Sequence, residues 1–374
     1  MKRTILGIVA FFAMAANVSA QTWNMIVTHE DGSVDTLATS AVKKVSFQLP
    51  DQNVDQVIIK ELYNGGCPKD EGSDYFQMDK GFVLYNNCGQ TAVINNLAVG
   101  QVDPGNAHST NNWYNKETLT YAADGYLPVD YSAWYFQKAL VMGPYSQVVV
   151  SCMGAIDNTQ TYKQSVNYAN KDYYAMYDPE SGNNNIGYYP TPADVIPSSH
   201  YLKAVMVGQG NGWPLSVSSP AFIIFQTRGE TAHDYLSNTK NYVFQPGKST
   251  ANNIYRCVKV PTKWVIDGVE EYDGSKIDKS QKRLTDDVDA GYVSFTSRKG
   301  YSVYRNVDVE ATKAIAGNAG KLVYNYSLGV GKSTDPSGID AEASIRNGAK
   351  IVYQDTNNSS RDFHLRQRFS VRGK

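Results

Sequence analysis

The chain has 374 residues and a formal net charge of −1 at pH 7, from 35 Lys and Arg against 36 Asp and Glu. Nucleic-acid-binding proteins usually carry an excess of basic residues, so this balance argues against a nucleic-acid partner. Charged residues make up 19% of the sequence, below the usual quarter, whereas Tyr occurs 27 times. This composition is typical of a β-rich exported protein with a hydrogen-bonding surface.

Residues 1–20 have the pattern of a cleaved signal peptide. Lys2 and Arg3 give a positive start, an apolar segment too short to span a bilayer follows, and Val18-Ser19-Ala20 supplies small residues before a cleavage site. We therefore expect export to the periplasm or the cell surface, with a mature chain that begins at Gln21. No Cys follows the cleavage site, so a lipoprotein is not expected. No second apolar run approaches about 20 residues, so no membrane span is expected either.

Residues 21–48 are expected to form a small β-hairpin module. Two short apolar runs flank Asp31-Gly32, and Asp-Gly between apolar runs is a strong hairpin signal. So short a segment cannot bury much core, so it must dock on a larger body or act as a tether. Residues 49–56 are the expected linker to a main domain over residues 57–374.

Two expected strands open the main domain. Val57–Tyr63 is a β-branched and aromatic run closed by Asn64-Gly65-Gly66, and residues 82–85 form a second run closed by Asn86-Asn87. Short apolar runs bounded by Gly and Asn are typical of strands. Two strands are not stable alone, so later segments must extend the sheet. Further strands are expected at residues 92–99, 146–150, 201–207, 221–226, 264–266, 322–328 and 349–353.

Helix signals are few in the main domain. Asp308 can cap a helix over residues 308–316, where Ala and Glu favour the helical state. A short helix is also expected within residues 161–176, and residues 179–199 are expected to be loop because Asn, Gly and Pro are abundant there. The region of about 101–290 is therefore interpreted as a long insertion between sandwich strands.

Three stretches resemble lamin-tail-like β-sandwich domains, which have an immunoglobulin-like fold. They are the opening strand and Gly-rich bend followed by Leu84-Tyr85-Asn86, a late strand at 300–305 that ends in Arg, and a closing Asp-Thr-Asn…Asp-Phe turn at 355–363. The family usually carries a Glu before Leu-Tyr-Asn, and Val83 stands there, so no role of that carboxylate carries over.

Most of the mature chain is also similar to exported Bacteroidetes proteins of unknown function that are related to lamin-tail-like domains. The resemblance implies a mainly β fold. It implies a lamin-tail-like, immunoglobulin-like sandwich with a long loop-rich insertion and the small N-terminal hairpin module.

No catalytic, cofactor or metal site is predicted. Gly208-Gln209-Gly210 imitates a dinucleotide-binding loop, but Trp213 stands where the third glycine is required. The five His are scattered without the close spacing of a zinc site, and no G-x-S-x-G motif occurs. Each His is expected to be exposed or hydrogen-bonded. Neither an oligomeric state nor a disulfide pairing is predicted for the four cysteines, Cys67, Cys88, Cys152 and Cys257.

Aromatic side chains separated by Asn and Gly are concentrated between residues 113 and 213. Tyr and Trp combine a flat apolar face with a polar tip, which suits sugar rings and protein hot spots alike. Because their neighbours are too polar for a buried strand, we expect an exposed binding cluster formed by some of Trp113, Tyr114, Trp134 and Tyr189. The alternative is that most of these rings fill a large core.

The expected function is that of an exported, non-catalytic binding or adhesion module of the cell envelope, which recognises a glycan or a protein through aromatic loops. The alternative is a structural accessory subunit of an outer-membrane uptake or surface assembly. A hydrolase-associated domain is a third hypothesis, because lamin-tail-like domains are sometimes fused to exported nucleases, although no nuclease segment is visible.

Overall fold

The computed structural model describes residues 23–43, 45, 47–209 and 214–373. The predicted signal peptide with its cleavage site, and Trp213, lie outside the described residues. The chain divides into two compact units, Met1–Gln48 and Leu49–Lys374.

The first unit contains the predicted hairpin. Strand β1 (Asn24–Thr28) pairs antiparallel with β2 (Val34–Ala38). Gly32 lies in the turn with a φ of 83°, a backbone conformation that glycine adopts without steric cost. The described residues of 42–47 form no strand.

The second unit is mainly β. Its strands are β3 (Val57–Tyr63), β4 (Cys67–Pro68), β5 (Tyr75–Phe76), β6 (Gly81–Asn86), β7 (Ala92–Ile94), β8 (Leu97–Val102), β9 (Tyr114–Asn115), β10 (Thr118–Leu119), β11 (Tyr126–Tyr135), β12 (Leu140–Met142), β13 (Gln147–Ser151), β14 (Tyr174–Met176), β15 (Tyr201–Met206), β16 (Ala221–Gln226), β17 (Tyr242–Phe244), β18 (Arg256–Pro261), β19 (Val265–Asp273), β20 (Val293–Phe295), β21 (Ser302–Arg305) and β22 (Phe363–Arg366). Its α-helices are short: α1 (Ala232–Ser237), α2 (Val309–Ala314), α3 (Ala341–Arg346) and α4 (Ser359–Asp362).

Most strands belong to one sheet in the order β20-β19-β16-β8-β11-β15-β14-β13-β6-β3-β21-β22, with β18 and then β17 branching from β11. The pairs β13–β14, β14–β15 and β19–β20 are parallel, and the other neighbours are antiparallel. The end strands β20 and β22 approach each other, so the sheet is barrel-like and nearly closed.

The opening strands lie where the sequence predicts them. β3 begins at Val57 and ends at Tyr63, and it pairs antiparallel with β6. Every residue of both strands is buried. One apolar cluster draws side chains from the whole circuit of the sheet, from Val293 on β20 to Phe363 on β22, so it fills the interior of the barrel-like sheet.

The region of about 101–290 is a continuous part of this sheet, not a loop-rich insertion beside it. It supplies β11, β13, β14, β15, β16, β18 and β19. Of these, β13, β15, β16 and β19 overlap predicted strands, whereas β11, β14 and β18 are not predicted. Polar residues within a strand interrupt the apolar pattern that sequence analysis relies on. Ser132 on β11, for example, is buried because its hydroxyl donates to Asn183 Oδ1 at 3.1 Å. The structure confirms a mainly β fold, and it does not confirm a lamin-tail-like sandwich.

Helix predictions have mixed outcomes. The predicted capped helix is α2, and Asp308 Oδ1 accepts the backbone N–H of Ala311 at 3.0 Å. Residues 161–176 contain no α-helix, and they end in β14. The strands expected at 322–328 and 349–353 are reduced to single β-bridges.

The three stretches behind the lamin-tail resemblance come together around one buried arginine. Arg305, at the end of β21, is 1% exposed and pairs with Asp267 on β19. Its Nη1 lies 3.2 Å from Asp355 Oδ1 and 3.7 Å from Asp362 Oδ2, both in the closing turn. Its Nε donates to the carbonyl of Ile59 on β3 at 2.9 Å. The arginine therefore ties the closing turn to the opening strand.

The closing turn is held by side-chain hydrogen bonds, as its Asn and Ser content predicts. The Asp362 carboxylate accepts the backbone N–H of Thr356 at 2.8 Å and that of Asn358 at 3.2 Å. The next residue, Phe363, is 5% exposed and lies in the interior cluster, with its ring centroid 4.5 Å from Arg305 Cζ. β22 then pairs with β21, which pairs with β3.

Candidate functional site

The four aromatic residues predicted to form an exposed cluster do not form one. Trp113 is 2% exposed, Trp134 is 1% exposed and Tyr189 is 4% exposed, whereas Tyr114 is half-buried. The expected exposure is therefore wrong.

The four rings lie in two separate places. Trp134 and Tyr189 pack against each other in the interior cluster, with ring centroids 5.4 Å apart. Trp113 lies in a second core cluster and donates its indole N–H to Asp103 Oδ2 at 2.7 Å, and the Tyr114 hydroxyl donates to a backbone carbonyl. A partner reaches the buried rings only if the core opens, so an aromatic binding surface on this fold needs accessible rings elsewhere.

An accessible cleft of about 130 Å³ opens where β11 and β15 stop pairing. Its lining comes from residues 136–139 after β11, Tyr174 on β14 and residues 199–202 at the start of β15. The Gln137 amide group donates to the carbonyls of Ser198 at 3.0 Å and Tyr201 at 2.6 Å. This side chain therefore bridges the two segments beyond the last backbone pair.

The cleft has an apolar floor and an aromatic wall, which is the stacked pair of Tyr174 and His200. Phe136 and Leu202 are buried and belong to the interior cluster. The Tyr174 ring lies 5.2 Å from Phe136, and the His200 ring stacks on Tyr174 with centroids 4.2 Å apart and planes 9° from parallel. Tyr174 sits on a strand with neighbours on both sides, so the wall is held by the sheet.

His200 presents a hydrogen-bond acceptor. Its Nδ1 lies 3.1 Å from the carbonyl oxygen of Tyr173, and because a carbonyl only accepts, Nδ1 carries the proton. In the neutral ring Nε2 then has a lone pair for a ligand hydroxyl. Gln137 uses its N–H groups on the backbone, so its Oε1 is a second acceptor.

Three donors at the cleft are unused. Within the described part of the chain, no hydrogen-bond or ion-pair partner is found for the Lys138 ammonium, the Ser199 hydroxyl or the Tyr174 hydroxyl. Burial alone raises the pKa of Tyr174, and no charged group contributes to that shift. Typical small-molecule sites measure about 300–1,000 Å³, so this cleft suits one small ring better than a nucleotide cofactor.

A buried carboxyl pair is a second group of interest. Asp103 and Asp130 are each 4% exposed. Asp103 accepts N–H groups from Trp113 and Gln245, each at 2.7 Å. Burial, and next the charge of Asp103, raise the pKa of Asp130 well above its usual range, which favours a protonated Asp130 hydrogen-bonded to Asp103. Both carboxyl groups are buried, and Trp113 and Gln245 bond to Asp103, so the pair does not face a substrate.

Gly208, the first glycine of the segment that resembles a dinucleotide-binding loop, packs against this carboxyl pair. A Cβ atom at Gly208 would lie 2.1 Å from Asp130 Oδ1 and 2.4 Å from the carbonyl oxygen of Arg256. Only glycine allows the backbone to pass so close to the carboxyl group. The glycine is explained by packing against a side chain, and no phosphate needs to be invoked.

The Asp130→Asn variant is expected to gain stability relative to the wild type as pH rises. In the wild type the folded state keeps a proton that the unfolded state loses above a pKa of about 3.9, so the contribution of Asp130 falls with rising pH. The Asn amide keeps the hydrogen bond to Asp103 without titrating. Urea unfolding from pH 4 to 8 should show the variant gaining on the wild type by about 1.4 kcal/mol for each unit of raised pKa. A constant difference across this range would contradict the shared proton.

Other site chemistries find little support in the described residues. No group of three or more His, Cys, Asp or Glu within them is placed to hold a metal ion. All four cysteines are described, and each is a free thiol. In the same part of the chain, no helix has the length and apolar character needed to cross a membrane.

A model of the family described as "Protein of unknown function (DUF4876)" matches residues 144–325, just under half of the chain. The chain is similar to the DUF4876 proteins. The matched part contains Tyr174 and His200 of the cleft. The crystal structure of a DUF4876 family protein from Bacteroides thetaiotaomicron VPI-5482 superposes with a TM-score of 0.57 at 20% sequence identity. The match covers 83% of this chain and 70% of that one, and it shows a shared fold. No curated protein matches the sequence.

The comparisons agree with the resemblance to proteins of unknown function and provide a Bacteroides neighbour. The lamin-tail relationship and the export of the chain stay predictions. Sequence reasoning missed Lys138 and His200 as site residues, because neither lies in a motif. The one signal near them was the concentration of aromatic residues that includes Tyr174.

Proposed function

We propose that the protein is an exported, non-catalytic binding module of the cell envelope that takes one ring of a glycan in the Tyr174–His200 cleft. The observation that carries this proposal is the accessible aromatic stack beside unused hydrogen-bonding groups. The signal-peptide pattern of residues 1–20 supports export. The convergence of the opening strand, the late strand and the closing turn on Arg305 supports the lamin-tail relationship.

A sugar ring matches the two surfaces of this cleft. Its C–H face packs on a flat aromatic side chain, and its hydroxyl groups both donate and accept hydrogen bonds. Tyr174 and His200 provide the flat wall, and Gln137, Ser199 and Lys138 provide polar groups at its edge. Because the sheet holds the wall before binding, little entropy is lost in ordering it.

The test uses a Tyr174→Ala/His200→Ala double variant and binding to isolated envelope polysaccharide, measured by affinity electrophoresis. Loss of two stacked aromatic rings is expected to weaken retention by about tenfold or more, since stacked rings contribute about 0.5–1.5 kcal/mol each beyond their buried area. Tyr324, which is 48% exposed and far from the cleft in sequence, provides the matched control Tyr324→Ala. The melting temperature of the double variant should stay within a few degrees of the wild type.

An accessory role in a surface assembly is the second candidate. The N-terminal hairpin unit exposes apolar side chains, with Trp23 at 70%, Ile26 at 65% and Phe47 at 82%. A two-stranded hairpin is marginally stable alone, and clustered exposed apolar side chains mark interaction surfaces. The accessory role would be favoured over glycan binding by two results together. The double variant would still be retained on the envelope, and deletion of residues 23–47 would abolish that retention.

A further inference from the structure

We propose that the ring bound in the cleft carries a carboxylate, as a uronic-acid residue of an acidic polysaccharide does, and that Lys138 binds this carboxylate. This inference rests on the proposed glycan-binding function and adds the charge of the ligand and the residue that recognises it.

The cleft carries one positive charge that no lining residue balances. The lining contains the Lys138 ammonium and no Asp or Glu. The neighbouring segments carry the carboxylates of Asp172, Asp178, Glu180 and Asp194, and in the described part of the chain no ion pair is found between any of them and Lys138. Asp178 is engaged by Lys203, whose Nζ lies 2.9 Å from Asp178 Oδ1. Asp194 is exposed, and its charge contributes to the raised pKa of Tyr201 after burial and Tyr177. Among the described residues, the cation at the cleft therefore has no ion-pair partner.

The cleft presents both hydrogen-bond donors and hydrogen-bond acceptors to a ligand. Donors lie on Lys138, Ser199 and Tyr174, and acceptors lie on Gln137 Oε1 and His200 Nε2. A carboxylate only accepts hydrogen bonds, whereas ring hydroxyls do both. A ring with one carboxylate and several hydroxyls uses both sets. A neutral hexose leaves the ammonium without its charged partner, and an amino sugar places a second cation beside it.

Lys138 lines the same cleft as the Tyr174–His200 stack. Lys138 follows directly after Gln137, whose side chain is fixed by bonds to two backbone carbonyls across the cleft. The chain is therefore anchored next to Lys138. The flexible lysine side chain can therefore reach the carboxylate at the edge of a ring bound in this cleft.

The experiment compares two probes by calorimetric titration of the purified protein: a digalacturonate and the corresponding neutral galactose disaccharide, which has a hydroxymethyl group in place of each carboxylate. We expect the wild type to bind the acidic probe about tenfold more tightly at low salt, as is typical of a charge-assisted hydrogen bond, and the preference to shrink at high salt. Lys138→Gln should bind both probes equally. Lys313→Gln, an exposed lysine on α2, should behave as the wild type.

The outcomes separate the inference from the function on which it rests. Equal binding of both probes by the wild type, abolished by Tyr174→Ala, would overturn the charge assignment and leave glycan binding standing. An acidic preference that persists in Lys138→Gln would overturn the role of Lys138. If the wild type binds neither probe but is retained on envelope polysaccharide through Tyr174 and His200, the uronic-acid assignment is overturned and glycan binding stands. Failure in both assays would overturn the proposed function as well. Because Lys138 is exposed, its substitution leaves the fold intact, and an unchanged melting temperature verifies this.

Discussion

Replacing Arg305 with Leu is expected to lower the free energy of unfolding by about 3–5 kcal/mol, because removing one partner of a buried ion pair leaves uncompensated charge behind. Arg305 is 1% exposed and is the cation nearest to Asp267, Asp355 and Asp362. Leu cannot donate to the Ile59 carbonyl either. The loss is measured by urea or guanidinium unfolding at neutral pH.

Arg368 provides the matched control for this prediction. It lies beyond β22, it is exposed, and no ion pair is found for its side chain within the described part of the chain. Arg368→Leu should change stability by about 0.5 kcal/mol or less. Adding Asp267→Asn to Arg305→Leu should recover part of the loss, because it removes one of the stranded carboxylates. If Arg305→Leu and Arg368→Leu unfold at the same denaturant concentration, the arginine does not tie the closing turn to the sheet.

Deleting residues 355–374 is expected to abolish cooperative unfolding of the second unit. The deletion removes β22 and α4 together with Asp355, Asp362 and Phe363. Truncating Phe363 to Ala would by itself cost about 3–5 kcal/mol, since the ring is 5% exposed and packs in the interior cluster. A typical domain has only about 5–15 kcal/mol of stability in total, so the combined loss exceeds what the fold can tolerate.

Thermal melting followed by circular dichroism tests the deletion. The wild type should show one steep transition for the second unit, and the truncated chain should show a shallow loss of signal. Removal of residues 373–374 alone serves as the control, because Gly373 belongs to no strand. A truncated chain that melts as the wild type does would show that the C-terminal segment is an appendage.

Local patterns in the sequence determined several elements of this protein. The run Val57–Tyr63 is strand β3 with the same bounds, and the Asp-Gly turn forms the hairpin of β1 and β2. Asp308 caps α2 as expected. These features depend on residues a few positions apart, such as β-branched runs, glycine turns and a capping carboxylate, so a sequence reading reaches them.

Only the tertiary structure decided which aromatic rings are accessible. Trp134 has polar neighbours in the sequence, yet it is 1% exposed, because those neighbours are satisfied by partners on distant segments, as Ser132 is by Asn183. A carboxylic acid is buried at Asp130 in the same way, through a hydrogen bond to Asp103. Polar residues in the sequence therefore predict exposure wrongly where a long-range hydrogen bond compensates the cost of removing a polar group from water.

The cleft is likewise a product of long-range pairing. Its walls come from segments near residues 137, 174 and 200, and the His200–Tyr174 stack exists because β14 and β15 pair in parallel at Tyr201. The sequence determined that the chain is β-rich, carries a signal-peptide pattern and is abundant in Tyr and Asn. The sheet decided where those side chains face, because strand order and register bring together residues whose spacing in the chain carries no trace of the contact.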